Sequence, residues 1–70
     1  MTMASLRETA VALNVEYEMR RRAGAPTDDF LTKTVVPATK RAVAAGADFD
    51  TIQADADREF GQWLIDNAGR

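Results

Sequence analysis

The sequence contains no cysteine and no histidine. Without cysteine there is no disulfide framework, and a reducing cytosol suits such a chain. Without either residue a structural zinc site has no ligands of its usual kind. There is one serine, Ser5, one tyrosine, Tyr17, and no glycine-rich phosphate loop. Nucleophilic and general acid–base chemistry therefore have little to build on, and the expectation is a non-enzymatic protein with no cofactor and no metal. No apolar run approaches the ~20 residues of a membrane span. The opening stretch MTMASLRETA lacks a basic segment followed by an apolar core, so no secretory signal is read and a cytoplasmic location is expected. A formal charge of −2 and a pI near 4.9 give no general attraction to nucleic acid or to anionic lipid.

What the chain does have is alanine and helical periodicity. Its 70 residues make one small domain, 1–70. A chain of that length buries only roughly 60% of its unfolded surface, so its stability margin is thin. With disulfides and zinc excluded, extra stability must come from close helix packing or from a second subunit. Thirteen alanines, and seven arginines against two lysines, suggest a GC-rich bacterium or its phage as the source.

The pattern predicts an all-α bundle of three helices, or four if Pro37 splits the second. Helix one is expected to start at Ser5, where Ser5 and Glu8 fit a capping box. It should end at Gly24, with Pro26 just beyond and Arg20, Arg21 and Arg22 complementing the helix dipole. It carries two apolar stripes. Leu6, Ala10, Leu13 and Tyr17 form one; Val11, Val15 and Met19 form the other, on nearly the opposite side. Such a helix is wedged between two neighbours or turns one face to another molecule.

Helix two begins near Thr27 or Asp28, with Leu31, Val35, Ala38, Ala42 and Ala45 facing inward. Pro37 removes an amide and clashes with the carbonyl four residues back, so a kink or break is expected over 34–36. Gly46 ends the element. Helix three starts at Asp48 or Asp50, with Gln53 placed for a reciprocal cap after Asp50 and Phe49 packing back onto the core. Its stripe of Ile52, Ala56, Phe60, Trp63 and Leu64 holds the only tryptophan. Leu13, Tyr17, Leu31, Val35, Phe60, Trp63 and Leu64 are the expected centre of the core. On that reading Trp63→Ala should cost about 3–5 kcal/mol. The segments Ala23-Gly24-Ala25 and Ala45-Gly46-Ala47 echo each other as two helix stops, and two copies are too few for a solenoid.

Three candidate sites are set against plainer readings. Asp48, Asp50 and Glu59 match positions one, three and twelve of a calcium loop, but Ile52 and Gln53 replace a ligand and the turn glycine, so a solvated helix face is preferred. Arg20, Arg21 and Arg22, with Lys40 and Arg41, could contact phosphates, and a small helix-turn-helix-like DNA-binding regulator is the alternative function. The acidic third helix, with Asp50, Asp55, Asp57, Glu59 and Asp66 against Arg58, opposes it, so nucleic acid is not the expected partner. The preferred expectation is a protein-interaction module that self-associates as a homodimer, an accessory or modulator protein acting on another protein. Its surface is drawn from Val11, Val15 and Met19 of helix one with Val36 and Val43 of helix two.

Overall fold

The structure is a computed structural model, and it describes residues 2–68. It is all-α, with three helices and no strand among the described residues. Helix α1 spans Met3–Arg22. Helix α2 runs unbroken through Asp28–Phe30, Leu31–Val35 and Val36–Ala44. Helix α3 spans Phe49–Asp66.

The cap of α1 is Thr2 and not Ser5. Its hydroxyl accepts the Ser5 amide at 3.1 Å, so the cap lies three residues earlier than the Ser5–Glu8 pattern implies. The two glycine stops form as expected. Gly24 and Gly46 adopt φ of 78° and 110°, which a side chain would resist. Ala25 N donates to Arg20 O and Gly24 N to Arg21 O; Ala47 N donates to Ala42 O and Gly46 N to Val43 O. Each set is a Schellman motif, which explains the echo between the two Ala-Gly-Ala segments. Gly24 and Gly46 are both exposed, but the residue after the second glycine, Ala47, packs into the core.

Pro37 neither splits nor ends α2. The turn before it widens into a π-helical segment, Leu31–Val35, in which the Val36 amide reaches back five residues to Leu31 O. Such a turn inserts a residue and shifts the carbonyls that a proline ring would otherwise strike. Backbone angles stay helical through Val35 and Val36, so three helices, not four, result.

Both α2 and α3 pack on α1, which is therefore wedged between two neighbours. The core is built of small residues: Ala10, Ala38, Ala42, Ala47 and Ala56, with Val11, Val35 and Ile52. Ile52 and Val35 are its largest fully buried side chains. The expected centre is thus corrected, since of the seven residues assigned to it only Val35 is buried. Leu13, Tyr17, Leu31, Phe60, Trp63 and Leu64 are half-buried. Phe49, expected against the core, is 51% exposed.

The overhang of α3 accounts for its aromatic end. Asn14 meets Gln53, and Arg7 meets Asp55, so α3 runs toward the start of α1. Only Met3 to Leu6 precede Arg7 within α1, whereas α3 continues from Asp55 to Asp66. Its last turns outrun their support. The 38 × 24 × 19 Å extents match this elongation. Gly61 lies in that overhang, and a Cβ added there meets nothing within 4 Å. Gly61→Ala is therefore expected to stabilise the protein by up to about 1 kcal/mol through helix propensity. A lower midpoint in thermal melts of that variant would contradict it.

Candidate functional site

Where α1, α2 and the first turns of α3 meet, they enclose an open groove of about 700 Å³. Tyr17 lines it from α1, Leu31, Val36 and Val43 from α2, and Phe49 from α3. The π-helical turn helps to make this wall, because it keeps α2 continuous past Pro37 and so sets Leu31, Val36 and Val43 along one helix. Val36 is 36% and Val43 42% exposed. Glu18 and Lys40 add one charge of each sign to the lining.

The polar part of the lining is a closed network that joins all three helices. Asn14 Nδ2 donates to Ala10 O at 2.7 Å and to Thr39 Oγ1 at 3.1 Å. Gln53 Nε2 donates to Asn14 Oδ1 at 3.1 Å, and Thr39 Oγ1 donates to Val35 O at 2.9 Å. No buried side-chain polar atom among the described residues lacks a partner. Asn14 and Thr39 are thus satisfied within the protein and Gln53 Nε2 is engaged, which leaves the apolar walls with the Glu18 and Lys40 charges as the groove's free binding capacity. Gln53, expected to cap its own helix, is used here between helices.

The interface set drawn from the sequence is divided by the structure. Val36 and Val43 come together in the groove. Val11 is 5% exposed and belongs to the core, and Val15 packs against that core, so the proposed outer stripe of helix one is its inner flank. This corrects the reading of Val11 and Val15 as surface residues. Met19 is half-buried and lines neither the groove nor the core cluster. The error has a physical source. Arg7, Asn14 and Glu18 lie on the line between the two stripes, and these polar residues hide the face that meets α2 and α3.

The cations of the alternative reading are divided between two helices. Arg20, Arg21 and Arg22 close α1, and all three are exposed. Arg20 places its guanidinium carbon 3.9 Å above the Phe30 ring and Nη2 3.4 Å from Glu16, so it is engaged locally. Lys40 and Arg41 are exposed on α2, and neither meets a carboxylate among the described residues.

Outside the groove lining, Asp55 receives Arg7 and Arg58. Arg7 Nη2 bonds Asp55 Oδ2 and lies 3.4 Å from Thr51 O, while Arg58 Nη2 sits 2.7 Å from Asp55 Oδ1. The hydrogen bond from Arg7 is the main reason the Asp55 carboxyl is held below the usual carboxylate range; partial burial opposes it and Arg58 adds to it. A carboxyl that loses its proton more readily when folded stabilises the fold above its unfolded pKa of about 3.9, and that stability fades as pH falls through the lowered value. The wild type should accordingly lose stability below about pH 4, and Asp55→Asn should lack this part of the decline. Urea unfolding at stepped pH measures it, and parallel curves for the two proteins would refute the assignment.

The chain matches no protein family, no curated protein and no solved structure. The fold defines a small three-helix protein.

Proposed function

We propose that the protein is a non-enzymatic protein-interaction module that self-associates through its groove as a homodimer, and that it serves as an accessory or modulator protein of a bacterium or phage. One observation supports this reading above the others: among the described residues no aromatic side chain and no leucine belongs to the buried core. Five of the eight buried apolar residues are alanines. Large apolar side chains left outside so small a core favour association, because each still has much of its ~1.5–3 kcal/mol of burial to gain. Groove walls of valine, leucine, tyrosine and phenylalanine suit the apolar face of a helix.

Val43→Asp is the informative variant, because Val43 lines the groove and stands outside the core. Sedimentation velocity across a concentration series should show wild-type dimers and a monomeric Val43→Asp protein, with helix content by circular dichroism unchanged. Wild type that stays monomeric throughout would refute self-association. The alternative, a small DNA-binding regulator using Arg21, Arg22, Lys40 and Arg41, predicts tight, salt-sensitive binding to duplex DNA. A gel shift at low salt that finds such binding would overturn the ranking.

A further inference from the structure

Leu31 reaches the groove because α2 is not a regular α-helix at that point. At about 100° per residue, an α-helix sets Val36 and Val43 within about 20° of each other. Thr32 would fall on the same line, about 40° from Val36 and about 20° from Val43. Leu31 would not. Five residues before Val36, it would stand about 140° away, on the inward line of Val35, Ala38 and Ala42. The structure shows a different choice. Leu31 is half-buried and lines the groove with Val36 and Val43, whereas Thr32 and Lys33 are exposed and lie outside the lining. The π-helical turn makes the exchange. Val36 N donates to Leu31 O, so roughly one full turn separates these two residues and their side chains share a side.

Turns of this kind are rare, and they recur at functional sites. Here the cause lies just beyond the turn. In a regular register the Pro37 ring would strike the Lys33 carbonyl and offer it no amide. Thr39 Oγ1 bonds Val35 O at 2.9 Å and anchors the half of α2 that follows, so a change of register would rotate residues 28–31 by about 100°. That rotation would also carry Phe30 away from Arg20, whose guanidinium carbon lies 3.9 Å over its ring. We propose that Pro37 is a positioning residue for the groove: through the π-helical turn it puts Leu31, and not Thr32, on the wall beside Val36 and Val43. The groove owes its apolar character at that end to this choice. In the regular register Thr32 would bring a hydroxyl there, and Lys33, about 60° from Val36, a second ammonium beside that of Lys40. The role is independent of what occupies the groove, and it goes beyond the reading of the groove as a self-association surface.

Pro37→Ala tests the proposal, because alanine restores the amide and removes the ring while helix content is kept. NMR scalar couplings across hydrogen bonds should pair the Val36 amide with the Leu31 carbonyl in wild type and with the Thr32 carbonyl in Pro37→Ala. Nuclear Overhauser contacts of the Val36 methyls should pass from Leu31 to Thr32 in step, and the Phe30 ring-current shift at Arg20 should vanish. Sedimentation should show the Pro37→Ala dimer weakened about tenfold, the equivalent of one partly buried leucine. Pro37→Ala/Thr32→Leu should recover it, since leucine then stands where Leu31 stood. Thr32→Leu alone, with the proline kept, points out of the groove and should leave the dimer unchanged. A purely structural proline would give no such conditional rescue. A Val36 amide that stays bonded to Leu31 in Pro37→Ala would overturn the proposal, because packing and not the proline would then set the register. Thr32→Leu acting equally with and without Pro37 would overturn it too. Wild type that stays monomeric would refute self-association instead, and the couplings and methyl contacts, which need no partner, would still decide the role of Pro37.

Discussion

Ile52→Ala is expected to lower the free energy of unfolding by about 2–5 kcal/mol, the range for removing a buried aliphatic side chain without refilling its space. Ile52 is completely buried and is one of only two large side chains in that state. Its neighbours in the core are Ala10, Val11, Ala42, Ala47 and Ala56. Alanines have no side-chain torsion with which to reach into a cavity, so the loss should lie toward the upper part of the range. A chain of 70 residues has a total margin of roughly 3.5–10 kcal/mol. The variant therefore stands near the edge of folding. Each kcal/mol moves the melting midpoint of a domain this size by about 4–8 °C, which makes the effect easy to measure. Trp63→Ala, measured in dilute protein where association is absent, should cost less, because Trp63 is only half-buried on the overhang of α3. This reverses the ranking that side-chain size alone suggests. A Trp63→Ala loss equal to or larger than that of Ile52→Ala in dilute protein would place Trp63 inside the folded core.

Helix number, the two glycine stops and the α-only class are legible in the sequence, because Gly24, Gly46 and the apolar periodicity are local signals. The packing was less so. Periodicity gives the direction of each apolar side chain and says nothing of whether a neighbour lies opposite it. On α3 the single stripe from Ile52 to Leu64 predicts a uniformly internal face, yet only Ile52 and Ala56 of it are buried, because α3 extends past its support on α1. On α1 the facing was misread for the reverse reason. Asn14 and Arg7 are polar residues on an inward line, and their partners Thr39, Gln53 and Asp55 come from other helices. Partners separated by 25 to 48 residues leave no trace in local spacing. The groove was half visible, through Val36 and Val43. Its other wall is not, because the pattern directs Phe49 back onto the core, whereas it is exposed along the groove. Pro37 was recognised as a disturbance, but no local rule distinguishes a break from a π-helical turn that absorbs the same clash.

Asn14→Leu should destabilise the protein by about 1–3 kcal/mol, despite leucine's similar size and better helix propensity, because it strands polar groups designed to meet. Gln53 Nε2 loses its acceptor, Oδ1 of Asn14, and Thr39 Oγ1 loses a donor while keeping its own bond to Val35 O. Gln53 is half-buried, so water can reach part of what is lost, and the effect should fall in the lower half of the range. The same physics predicts the outcome of the double variant. Gln53→Leu removes the stranded amide, so Asn14→Leu/Gln53→Leu should cost less than the two single variants added together. Independent sites add to within about 0.3–0.5 kcal/mol, and additivity of that quality here would show that the contact carries no coupling. Because Asn14, Thr39 and Gln53 also line the groove, the single variant should weaken self-association at concentrations where it is still folded. The double variant offers a more apolar lining in place of the network. Its dimer should recover only if burial of apolar area, and not the position of the three helices, sets the affinity; a dimer still weakened in a well-folded double variant would assign the network the task of holding the groove open at the width the second copy needs.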